Sequence, residues 1–477
     1  MSRFTAHMHL FKNGNMLFAY DYIKNVLIKV DSYVHNALSD ILNADEPSSQ
    51  IERALNTIPQ IELYRKMGFF FYIEGCNTDT SNEYSSKTAF ISFPTTHMCN
   101  LRCKYCFAEH GENYKGSDKK LSKSLIKDIM EFVYLDYFKD SSRIRLDFVS
   151  GGEPLLNFDL VKDAVEISEK LYTITKTPID IFLCTNGTIN DPEIWDYINK
   201  YNINLGISLD GPQQLHDIAR VYEDGRGGYS DTVNTIEYII NSANYSPHTK
   251  SVWILSVITG KTKSILDILN HNKALGIKSM QMKLARLDKN SEFSIGRDFI
   301  DKILNMYKEL VTHFVSSSMA HNYEDLSMIL NETDYFGKLI YRILYGGRIK
   351  RCHAGERKFS FAGNGDIYPC DSFVGNDKFR LGNIYTGVDE EIRKIFVDGT
   401  IFAREKCSSC WARFICSGDC YHNSYLINGN IHEPDQVFCD LNRQLIESAL
   451  YLYHVIKSNG DLEKLKKIVR IKRRFNN

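Results

Sequence analysis

The spacing of the cysteines constrains this chain more than any other feature of its sequence. The chain has 477 residues and 12 cysteines. Apart from Cys76 and Cys184, all of them fall into one group near residue 100 and a second group between residues 352 and 439. Disulfides stabilise small secreted domains that cannot bury a sufficient core. A chain of this length does not need them, and nothing in the sequence suggests export. The short spacings therefore indicate metal or iron–sulfur ligands, whereas Cys76 and Cys184 are expected to be buried structural thiols.

Composition excludes several classes of protein. Hydrophobic residues make up 43% and charged residues 25% of the chain, and the formal net charge is -1. These values are ordinary for a globular protein and give no overall field that would attract nucleic acid or a membrane surface. No apolar run reaches the roughly 18 residues of a spanning helix, and the first residues lack the apolar segment of a secretory signal. We expect no nucleic-acid or membrane partner and, at about 150 residues a domain, roughly three domains.

Residues 1–80 are predicted to form a small separate unit. Apolar segments on either side of Asn13 and Gly14 predict strands joined by a tight turn. The segment DSYVHNALSDIL has helical spacing and starts with two candidate capping residues, Asp31 and Ser32. A second helix is predicted in SSQIERALNTI, and Pro59 is expected to end it. Residues 76–87 are polar and rich in turn-forming residues, as in a linker.

From residue 88, short apolar runs alternate with helical patterns. The runs are AFISFP, IRLDFVSGG, IDIFLCTNG, INLGISLDG, SVWILSVIT and SMQMKLARL. Strands that alternate with helices predict parallel βαβ units, and near-continuous apolar strands predict a sheet covered on both faces. Six such units predict an α/β fold, a partial (β/α)6 barrel over residues 88–295. Polar residues and glycines end these strands, where barrel enzymes place their chemistry.

The remainder of the chain is predicted in three parts. Residues 296–350 form a helical bridge. Residues 351–440 are irregular, punctuated by glycine and cysteine, and without an obvious apolar core, so we expect metal binding to stabilise them. Residues 441–477 form a C-terminal helix with a basic tail. The basic residues of the tail are Lys464, Lys466, Lys467, Arg470, Lys472, Arg473 and Arg474.

The first cysteine group is short and follows a predicted strand. Cys99, Cys103 and Cys106 have the spacing C-x3-C-x2-C. Three thiolates on one loop can bind three irons of a [4Fe–4S] cluster and leave the fourth iron open to another ligand. An open iron suits catalysis better than electron transfer. Spacing alone leaves a zinc site as the alternative, with His97 or His110 as the fourth ligand.

Further motifs accompany this loop. A tyrosine precedes its last cysteine, and Gly-Gly-Glu-Pro stands at 151–154; together these resemble the radical S-adenosylmethionine (SAM) superfamily. Thr-Asn-Gly at 185–187 and Ser-Leu-Asp-Gly-Pro at 208–212 resemble segments of the same enzymes. In that family the open iron binds the amino and carboxylate groups of SAM. An electron from the cluster then cleaves SAM into methionine and a 5′-deoxyadenosyl radical, which abstracts a substrate hydrogen.

The resemblance implies which residues bind SAM. They are Tyr105, Gly151, Gly152, Glu153, Asn186, Ser208 and Arg220. Paired glycines allow a backbone to approach a ligand closely, and a carboxylate can hold an ammonium group. Alternatives stay open at three places: a simple turn at residues 151–154, a surface salt bridge for Arg220, and a turn-capping role for Asp210.

The second group contains seven cysteines in one layout. Cys352 and Cys370 flank Gly365, and Cys407-x2-Cys410-x5-Cys416-x3-Cys420 precedes Cys439. This layout resembles the SPASM domain, an iron–sulfur extension behind some radical SAM barrels. The resemblance implies two auxiliary [4Fe–4S] clusters, hence three clusters in the chain. The cluster farther from SAM takes Cys407, Cys410, Cys416 and Cys439. The nearer cluster takes Cys352, Cys370 and Cys420.

The nearer set departs from some relatives, which carry a further cysteine between its first two positions. This chain has none between Cys352 and Cys370, which suggests an open iron to which a substrate thiolate binds. Cys76, a side-chain oxygen or water are the alternatives for that position. Asp371 directly follows Cys370 and corresponds to the presumed general base of sulfatase-maturing relatives; a turn-capping aspartate is the alternative.

The function implied by the resemblance is peptide modification. Residues 1–80 resemble the winged-helix-like recognition element of natural-product maturases, which binds a leader peptide as an added strand, although a stabilising cap is the alternative. The resemblance, over roughly residues 88–440, implies a radical SAM/SPASM maturase that forms thioethers in a ribosomal precursor peptide, as sactipeptide and ranthipeptide enzymes do. Formylglycine formation in a sulfatase and another radical crosslink are alternatives. A non-catalytic iron–sulfur protein is an alternative of a different class.

The same resemblance implies the partners and the compartment. The precursor peptide is one partner, and an electron donor such as flavodoxin or ferredoxin is the other. The cytoplasm is the expected location, because exposed clusters need reducing conditions. The basic tail can steer an acidic peptide, or it can be a solvated helix face.

Overall fold

The computed structural model describes residues 4–45, 47–73, 87–109, 119–149, 151–242 and 252–476. Cys76 and His110, two of the candidate ligands, lie outside the described residues, as do the side chains of residues 470–476 in the basic tail. None of the helices within these ranges has the length and hydropathy required to cross a bilayer.

An N-terminal module of short strands and three helices comes first. Its elements are β1 (Phe4–Ala6), β2 (Met8–Asn13), β3 (Met16–Asp21), β4 (Val26–Val30), α1 (Ser32–Leu42), α2 (Pro47–Thr57), α3 (Pro59–Lys66) and β5 (Phe71–Ile73). Strands β2, β3 and β4 form an antiparallel sheet in that order, and β1 pairs with β5. Asp31 is the residue that caps α1, since its side chain accepts a hydrogen bond from Val34 N.

The helix α3 is absent from the sequence prediction, which took Pro59 only as the end of a helix. Ile58 separates Thr57, the last residue of α2, from Pro59, which is the first residue of α3. A proline at the first helical position is tolerated because the N–H that it lacks has no partner within the helix.

The six predicted parallel strands are present. They are β6 (Thr88–Ser92), β7 (Arg143–Phe148), β8 (Ile179–Thr185), β9 (Asn204–Ser208), β10 (Trp253–Ile258) and β11 (Met280–Leu284). The helices that alternate with them are α4 (Lys123–Glu131), α5 (Phe158–Thr175), α6 (Pro192–Lys200), α7 (Gln213–Asp217), α8 (Tyr229–Asn241) and α9 (Ile265–Ala274). Each strand pairs in parallel with the next one along the chain.

The two faces of this sheet differ in chemistry. Ile91, Leu146, Leu183 and Ile207 belong to the apolar core. The residues that alternate with them lie on the opposite face, which we call the inner face. The inner face carries Ser92, Asp147, Cys184 and Ser208 at the carboxyl ends of β6, β7, β8 and β9.

The C-terminal half continues the same sheet. Its elements are α10 (Ile300–Met319), α11 (Glu324–Ile329), α12 (Gly337–Tyr345), β12 (Lys358–Phe361), β13 (Asp366–Tyr368), β14 (Gly382–Asn383), β15 (Gly387–Val388), α13 (Glu390–Val397), α14 (Glu405–Ser408), α15 (Arg413–Cys416), α16 (Tyr421–Asn428), α17 (Gln436–Ser458) and α18 (Leu462–Asn476). Strand β12 pairs in parallel with β6, and β13 to β15 extend the sheet antiparallel to a total of ten strands.

Strands β11 and β12 lie far apart in the order of the sheet. Six strand spacings separate β11 from β12, about 29 Å on a flat sheet at ~4.8 Å per spacing. Burial lowers the pKa of Lys283 on β11, and the charge of Lys358 on β12 contributes to that decrease. Because the interaction of two charges weakens with distance, this contribution is consistent with a sheet that curves around its inner face.

The expectation that residues 351–440 lack an apolar core is wrong. Phe359, Phe361, Phe373 and Phe396 in this region are at most 1% exposed, and they belong to the same core cluster as the parallel strands. The Phe359 ring lies 5.0 Å from the Phe138 ring. The core was invisible in the sequence because very short strands and turns contribute its residues without a repeating pattern.

The N-terminal module packs against the C-terminal half. The ring of His9 stacks on Trp411 with 3.6 Å between centroids, and His9 Nε2 lies 2.8 Å from Glu447 Oε1 on α17. Phe18 on β3 belongs to the main core cluster. The first strands therefore share a core with the rest of the protein.

Phe359→Ala should lower the free energy of unfolding by about 3–5 kcal/mol, because the substitution removes a buried ring from a site that cannot close completely. Anaerobic urea unfolding followed by tryptophan fluorescence measures this change. Ile395→Ala is the matched control, since Ile395 is 44% exposed and should change the stability by less than about 0.5 kcal/mol. Equal effects of the two substitutions would show that residues 351–440 are held by metal rather than by packing.

Candidate functional site

The loop with the first three cysteines follows β6 and is held by backbone hydrogen bonds. Arg102 N donates to Val221 O at 2.6 Å, and Lys104 N donates to Ala219 O at 2.9 Å. The loop thus lies against the segment that follows α7, at the carboxyl end of the parallel sheet.

The thiols of Cys99, Cys103 and Cys106 face one another within this loop. Burial raises the pKa of Cys99, and raises that of Cys103 to about 12, with neighbouring thiols contributing to both increases. Leu101 N donates to Cys99 Sγ at 3.5 Å, and Asn186 Nδ2 lies 4.0 Å from the same sulfur. N–H groups directed at a sulfur favour the thiolate. This donor set fits three ligands of a [4Fe–4S] cluster.

The glycine pair packs on the cysteine loop. A Cβ on Gly152 would lie 1.8 Å from Met98 O, and one on Gly151 would lie 2.9 Å from Thr96 O. Gly151 also has a φ of +92°. From the sequence we expect these glycines to allow a close approach to a ligand, and that stays a prediction. In the structure their lack of side chains also accommodates the backbone of the loop.

Glu153 joins the ends of two neighbouring strands. Its Oε1 accepts hydrogen bonds from Thr185 Oγ1 at 2.7 Å and Leu155 N at 3.1 Å, and its Oε2 accepts one from Asn186 N at 2.7 Å. Burial raises the pKa of Glu153 to about 7, even though these donors favour the charged form. Three donors leave one acceptor position of the carboxylate for an ammonium group.

Asn186 and Ser208 occupy the ends of β8 and β9. Asn186 Nδ2 donates to Asn100 Oδ1 at 2.8 Å, which ties it to the cysteine loop. Ser208 Oγ lies 3.9 Å from Cys184 Sγ on the inner face. Cys184 was expected to be a buried structural thiol. It is only partly buried and belongs to the same face as the candidate SAM contacts, because β8 alternates core and inner-face residues.

A buried ion pair lies next to Cys103 of the cysteine loop. Arg220 Nε lies 3.1 Å from Asp210 Oδ2, and the Arg220 and Asp210 side chains are 7% and 2% exposed. Tyr105 donates its hydroxyl proton to the same Asp210 oxygen, and Val257 N donates to Asp210 Oδ1 at 3.0 Å. Neither alternative from the sequence is correct: Arg220 makes no surface salt bridge, and Asp210 does not merely cap a turn. The short helix α7 lies between Asp210 and Arg220 in the sequence, and the two side chains meet across it. The local spacing of residues does not reveal this contact.

The other seven cysteines form two sets. Burial raises the pKa of Cys352 and of Cys370, and the charge of Cys420 raises both further. Burial also raises the pKa of Cys407 to about 11 and raises that of Cys439, with Cys416 contributing to both. Cys410 acts on Cys407 in the same way. The cysteines thus act on one another within two groups, Cys352, Cys370 and Cys420 in one and Cys407, Cys410, Cys416 and Cys439 in the other, and their assignment to two clusters stays a prediction.

Asp371 lies next to β6 and β12, since its carboxylate contacts Ser92 and Ser360. Its Oδ2 is 2.6 Å from Lys358 Nζ, and its Oδ1 accepts hydrogen bonds from Ser360 Oγ at 2.8 Å and from Ser92 Oγ. Burial alone would raise the pKa of Asp371, but Lys358 and the two serines lower it below its usual value. The sequence analysis missed Lys358 and Ser360. Their signal was the alternation of polar and aromatic residues in KFSF, which is typical of a strand with one polar face.

No group of three His, Cys, Asp or Glu side chains in the described part of the chain has the arrangement of a single-ion metal site. His97 is buried beside the cysteine loop, and burial lowers its pKa to about 4.

Comparison with protein families matches residues 93–270 to the Radical SAM superfamily. Residues 93–270 therefore form a Radical SAM domain. A cysteine-type anaerobic sulfatase-maturating enzyme of Clostridium novyi is 24% identical over 75% of this chain and 94% of its own length. The Radical SAM cyclopropyl synthase TigE of Paramaledivibacter caminithermalis is 22% identical over 90% of this chain and 89% of its own length.

A solved structure shares the fold of this chain. It is anSMEcpe with bound AdoMet and Cp18Cys peptide, which superposes with a TM-score of 0.64 and 21% identity, over 79% of this chain and 99% of that chain. The likeness therefore extends beyond the residues that match the superfamily.

Gly152→Ala should displace the cysteine loop, because the added Cβ would meet the backbone at Met98. We expect anaerobically reconstituted protein to lose about four irons per chain, the content of one cubane cluster. Iron and sulfide analysis measures this loss, and circular dichroism checks the fold. Gly296→Ala is the control, because a Cβ at Gly296 meets nothing within 4 Å. A full iron content in Gly152→Ala would contradict the proposed link between turn and loop.

Proposed function

We propose that this Radical SAM enzyme modifies a ribosomally made precursor peptide and forms thioether crosslinks from a cysteine sulfur to a carbon of another residue. The observation that carries the proposal is the set Cys352, Cys370 and Cys420. The charges of Asp371 and Cys420 act on Cys370, and the sequence has no further cysteine between Cys352 and Cys370. A cluster held by three thiolates keeps one iron for a substrate thiolate.

The proposal assigns the first loop to the catalytic cluster. Cys99, Cys103 and Cys106 hold the cluster, and Asn186 donates toward the Cys99 sulfur. Reduced cluster and SAM together supply a 5′-deoxyadenosyl radical that abstracts hydrogen from carbon. Glu153 has one acceptor position left for the SAM amino group, and Ser208 faces the same space from β9. Arg220, held by Asp210 and Tyr105, supplies positive charge next to Cys103 and can attract the SAM carboxylate.

The proposal assigns the other cysteines to two auxiliary [4Fe–4S] clusters. The nearer set, next to Asp371, is where a substrate thiol would lose its proton and bind. The farther set, Cys407, Cys410, Cys416 and Cys439, is the route by which the electron released in bond formation leaves. A flavodoxin or ferredoxin exchanges electrons with the enzyme, and the reducing cytoplasm is its compartment.

The N-terminal module offers an edge to the leader peptide. The residue pair Asn13 and Met16 closes the turn at Gly14. From this pair onward, hydrogen-bonded residue pairs alternate with pairs that are not hydrogen-bonded, first between β2 and β3 and then between β3 and β4. The backbone groups of Leu27 and Lys29 in β4 therefore point away from β3. No described strand pairs with this side of β4. An extended peptide can add to it as a fourth strand.

The names of the relatives point to different reactions. TigE is named a cyclopropyl synthase, and the Clostridium novyi relative is named for sulfatase maturation. Formylglycine formation is accordingly the second candidate function. The position of Asp371 beside Cys370 favours it, because a base there can take a proton from a substrate thiol. The N-terminal module and the three-cysteine set favour the thioether.

Mass spectrometry of the reacted peptide tests the proposed function. A thioether removes two hydrogens, so each crosslink should lower the peptide mass by about 2 Da. Formylglycine from cysteine also exchanges sulfur for oxygen and should lower the mass by about 18 Da. We expect the first value, and the second would replace the proposal by sulfatase-type maturation.

Two cysteine variants control this experiment. Cys99→Ala should abolish the release of 5′-deoxyadenosine, because the catalytic cluster loses a ligand. Cys184→Ser removes a thiol that belongs to neither auxiliary set nor the loop and should retain that release. Continued release by Cys99→Ala would contradict the assignment of the catalytic cluster.

Lys29→Pro tests the edge of β4, because proline removes the outward N–H of Lys29 without removing a hydrogen bond to β3. We expect the dissociation constant for a peptide substrate to rise about tenfold, as for the loss of one or two backbone hydrogen bonds. Isothermal titration calorimetry measures it.

Lys12→Pro is the matched control for Lys29→Pro. Lys12 is an exposed lysine on the opposite edge strand β2, and its backbone also faces outward because it pairs with Leu17. The control should leave binding unchanged. Equal losses in the two variants would mean that the peptide does not add to β4.

A further inference from the structure

A buried amide on α17 points at a thiol of the farther cysteine set. Asn442 lies on α17 three residues after Cys439 and is 3% exposed. Residues three apart on a helix share a face, so α17 carries both a cysteine of this set and the amide. Asn442 Nδ2 lies 3.8 Å from Cys416 Sγ, at the end of α15. The amide therefore joins the helix of one cysteine to the sulfur of another.

A second buried side chain fixes the direction of this amide. Tyr335 is 3% exposed, and its hydroxyl donates to Asn442 Oδ1 at 2.7 Å. Tyr335 is itself tied to the parallel sheet, because its backbone N–H donates to Met282 O on β11 at 2.9 Å. Lys338 Nζ lies 4.3 Å from the centroid of the Tyr335 ring. These contacts hold the ring whose hydroxyl reaches the amide.

The chemistry of the sulfur decides which end of the amide faces it. In the protein without iron, the Cys416 thiol donates to Gly418 O at 3.6 Å. Iron is bound by the thiolate, which has no proton to donate and only accepts hydrogen bonds. Since Oδ1 of the amide is directed at Tyr335, Nδ2 serves the sulfur. Arg342 Nη1 donates to Cys416 O at 3.0 Å and so holds the backbone of this cysteine.

We propose that Asn442 is a positioning residue of the electron route: oriented by Tyr335, its amide donates a hydrogen bond to the Cys416 thiolate and makes the cluster of the farther set easier to reduce. Hydrogen bonds to the sulfurs are among the factors that set the reduction potential of an iron–sulfur cluster. They favour the reduced form, because it carries more negative charge. The inference rests on the proposed function, which assigns a cluster to these cysteines.

The proposed reaction needs a place for one electron. The donor supplies one electron to cleave SAM, and the resulting 5′-deoxyadenosyl radical takes a hydrogen atom from carbon. The sulfur–carbon bond then forms from this carbon radical and a thiolate whose proton has already left. One electron is left over, and it balances the electron that the donor supplied. An amide that stabilises the reduced form at the farther set therefore favours the transfer of this electron away from the new bond.

A purely structural amide is the other explanation. A buried asparagine needs partners for its polar atoms, and Tyr335 supplies one of them. If Asn442 had only this role, its removal would lower the stability of the protein and leave the potential of the cluster unchanged. The reduction potential therefore separates the two explanations.

The experiment is an anaerobic redox titration with titanium(III) citrate, followed by electron paramagnetic resonance. It uses the full-length, reconstituted chain in which Cys99, Cys103 and Cys106 are replaced by alanine, so that only the auxiliary clusters titrate. Two clusters predict about eight irons per chain. Adding Cys370→Ala to this background identifies the signal of the nearer cluster, and the remaining signal belongs to the farther one.

We compare variants at the midpoint potential of the farther cluster. Asn442→Leu should lower the ratio of reduced to oxidised cluster about fivefold, because it removes a hydrogen bond to an anionic sulfur. Tyr335→Phe keeps the ring but frees the amide to rotate, so it should lower the ratio about threefold. Adding Tyr335→Phe to Asn442→Leu should lower the ratio no further, since Tyr335 acts through Asn442.

Gln444→Leu is the matched control for Asn442→Leu. It also replaces an amide on α17 by leucine, but at an exposed position, and it should leave the ratio unchanged. Iron content and circular dichroism confirm that each variant is loaded and folded. Tyr335→Phe is the smaller change and carries the test if Asn442→Leu does not load.

Three results would overturn the inference. The first is an unchanged ratio in loaded Asn442→Leu, or in Tyr335→Phe where only that variant loads. The second is an effect of Tyr335→Phe that persists in full when Asn442 is already leucine. The third is a shift of the nearer cluster in place of the farther one.

Failure of the proposed function looks different from these results. A chain that holds no iron once Cys99, Cys103 and Cys106 are replaced has no auxiliary clusters, and the inference then falls with the proposal. A peptide product lighter by about 18 Da would replace the thioether and leave the shift in Asn442→Leu intact.

Discussion

The contact between the Gly151–Gly152 turn and the backbone of the cysteine loop is the one on which the site depends. Gly152 N donates to Thr96 O and Glu153 N donates to Met98 O, both at 2.9 Å. These bonds tie the end of β7 to the loop that follows β6. Glu153 then extends the connection to β8 through Thr185 and Asn186. Three adjacent strand ends are thereby fixed to the segment that presents the first three thiols, which is the rigidity that a precisely oriented radical reaction requires.

Buried charge completes this framework. An isolated carboxylate transferred into a protein interior costs several kcal/mol, and hydrogen bonds and an opposite charge must offset that cost. Asp210 has Arg220, Tyr105 and Val257 N as partners. Glu153 has only neutral donors, which is why burial raises its pKa to about 7 while Asp210 is held by an ion pair. The two carboxylates therefore differ in what they can still accept: Arg220 acts on Glu153 only through its charge, no cation is among the hydrogen-bond donors of Glu153, and an ammonium group would supply one.

The sequence predicted most strands of this fold but few of its polar contacts. The six parallel strands were visible because their apolar runs are bounded by turn residues. The strand β12 was not, because its alternation of polar and aromatic residues extends over only four positions. The cysteine spacings, the Gly-Gly-Glu-Pro segment and Asn186 pointed to the site directly. The burial of Arg220 and the inner-face position of Arg145 depend instead on how α7 turns and how the sheet curves, and no local pattern encodes either.

The cations near the cysteines and the sheet are of two kinds, according to whether the negative charge that they offset belongs to a thiolate or to a carboxylate. Thiolates that bind iron carry negative charge into the interior, and nearby cations offset it. Arg220 acts on Cys103, Lys358 on Cys370, Arg404 on Cys407 and Arg443 on Cys439. Each cysteine set thus has its own positive neighbour. The charges that act most strongly on Lys283 come from Asp334 and three cations, and none comes from a thiol. Lys283 therefore belongs to the second kind, whose charge is offset by a carboxylate of the chain, Asp334, rather than by a thiolate.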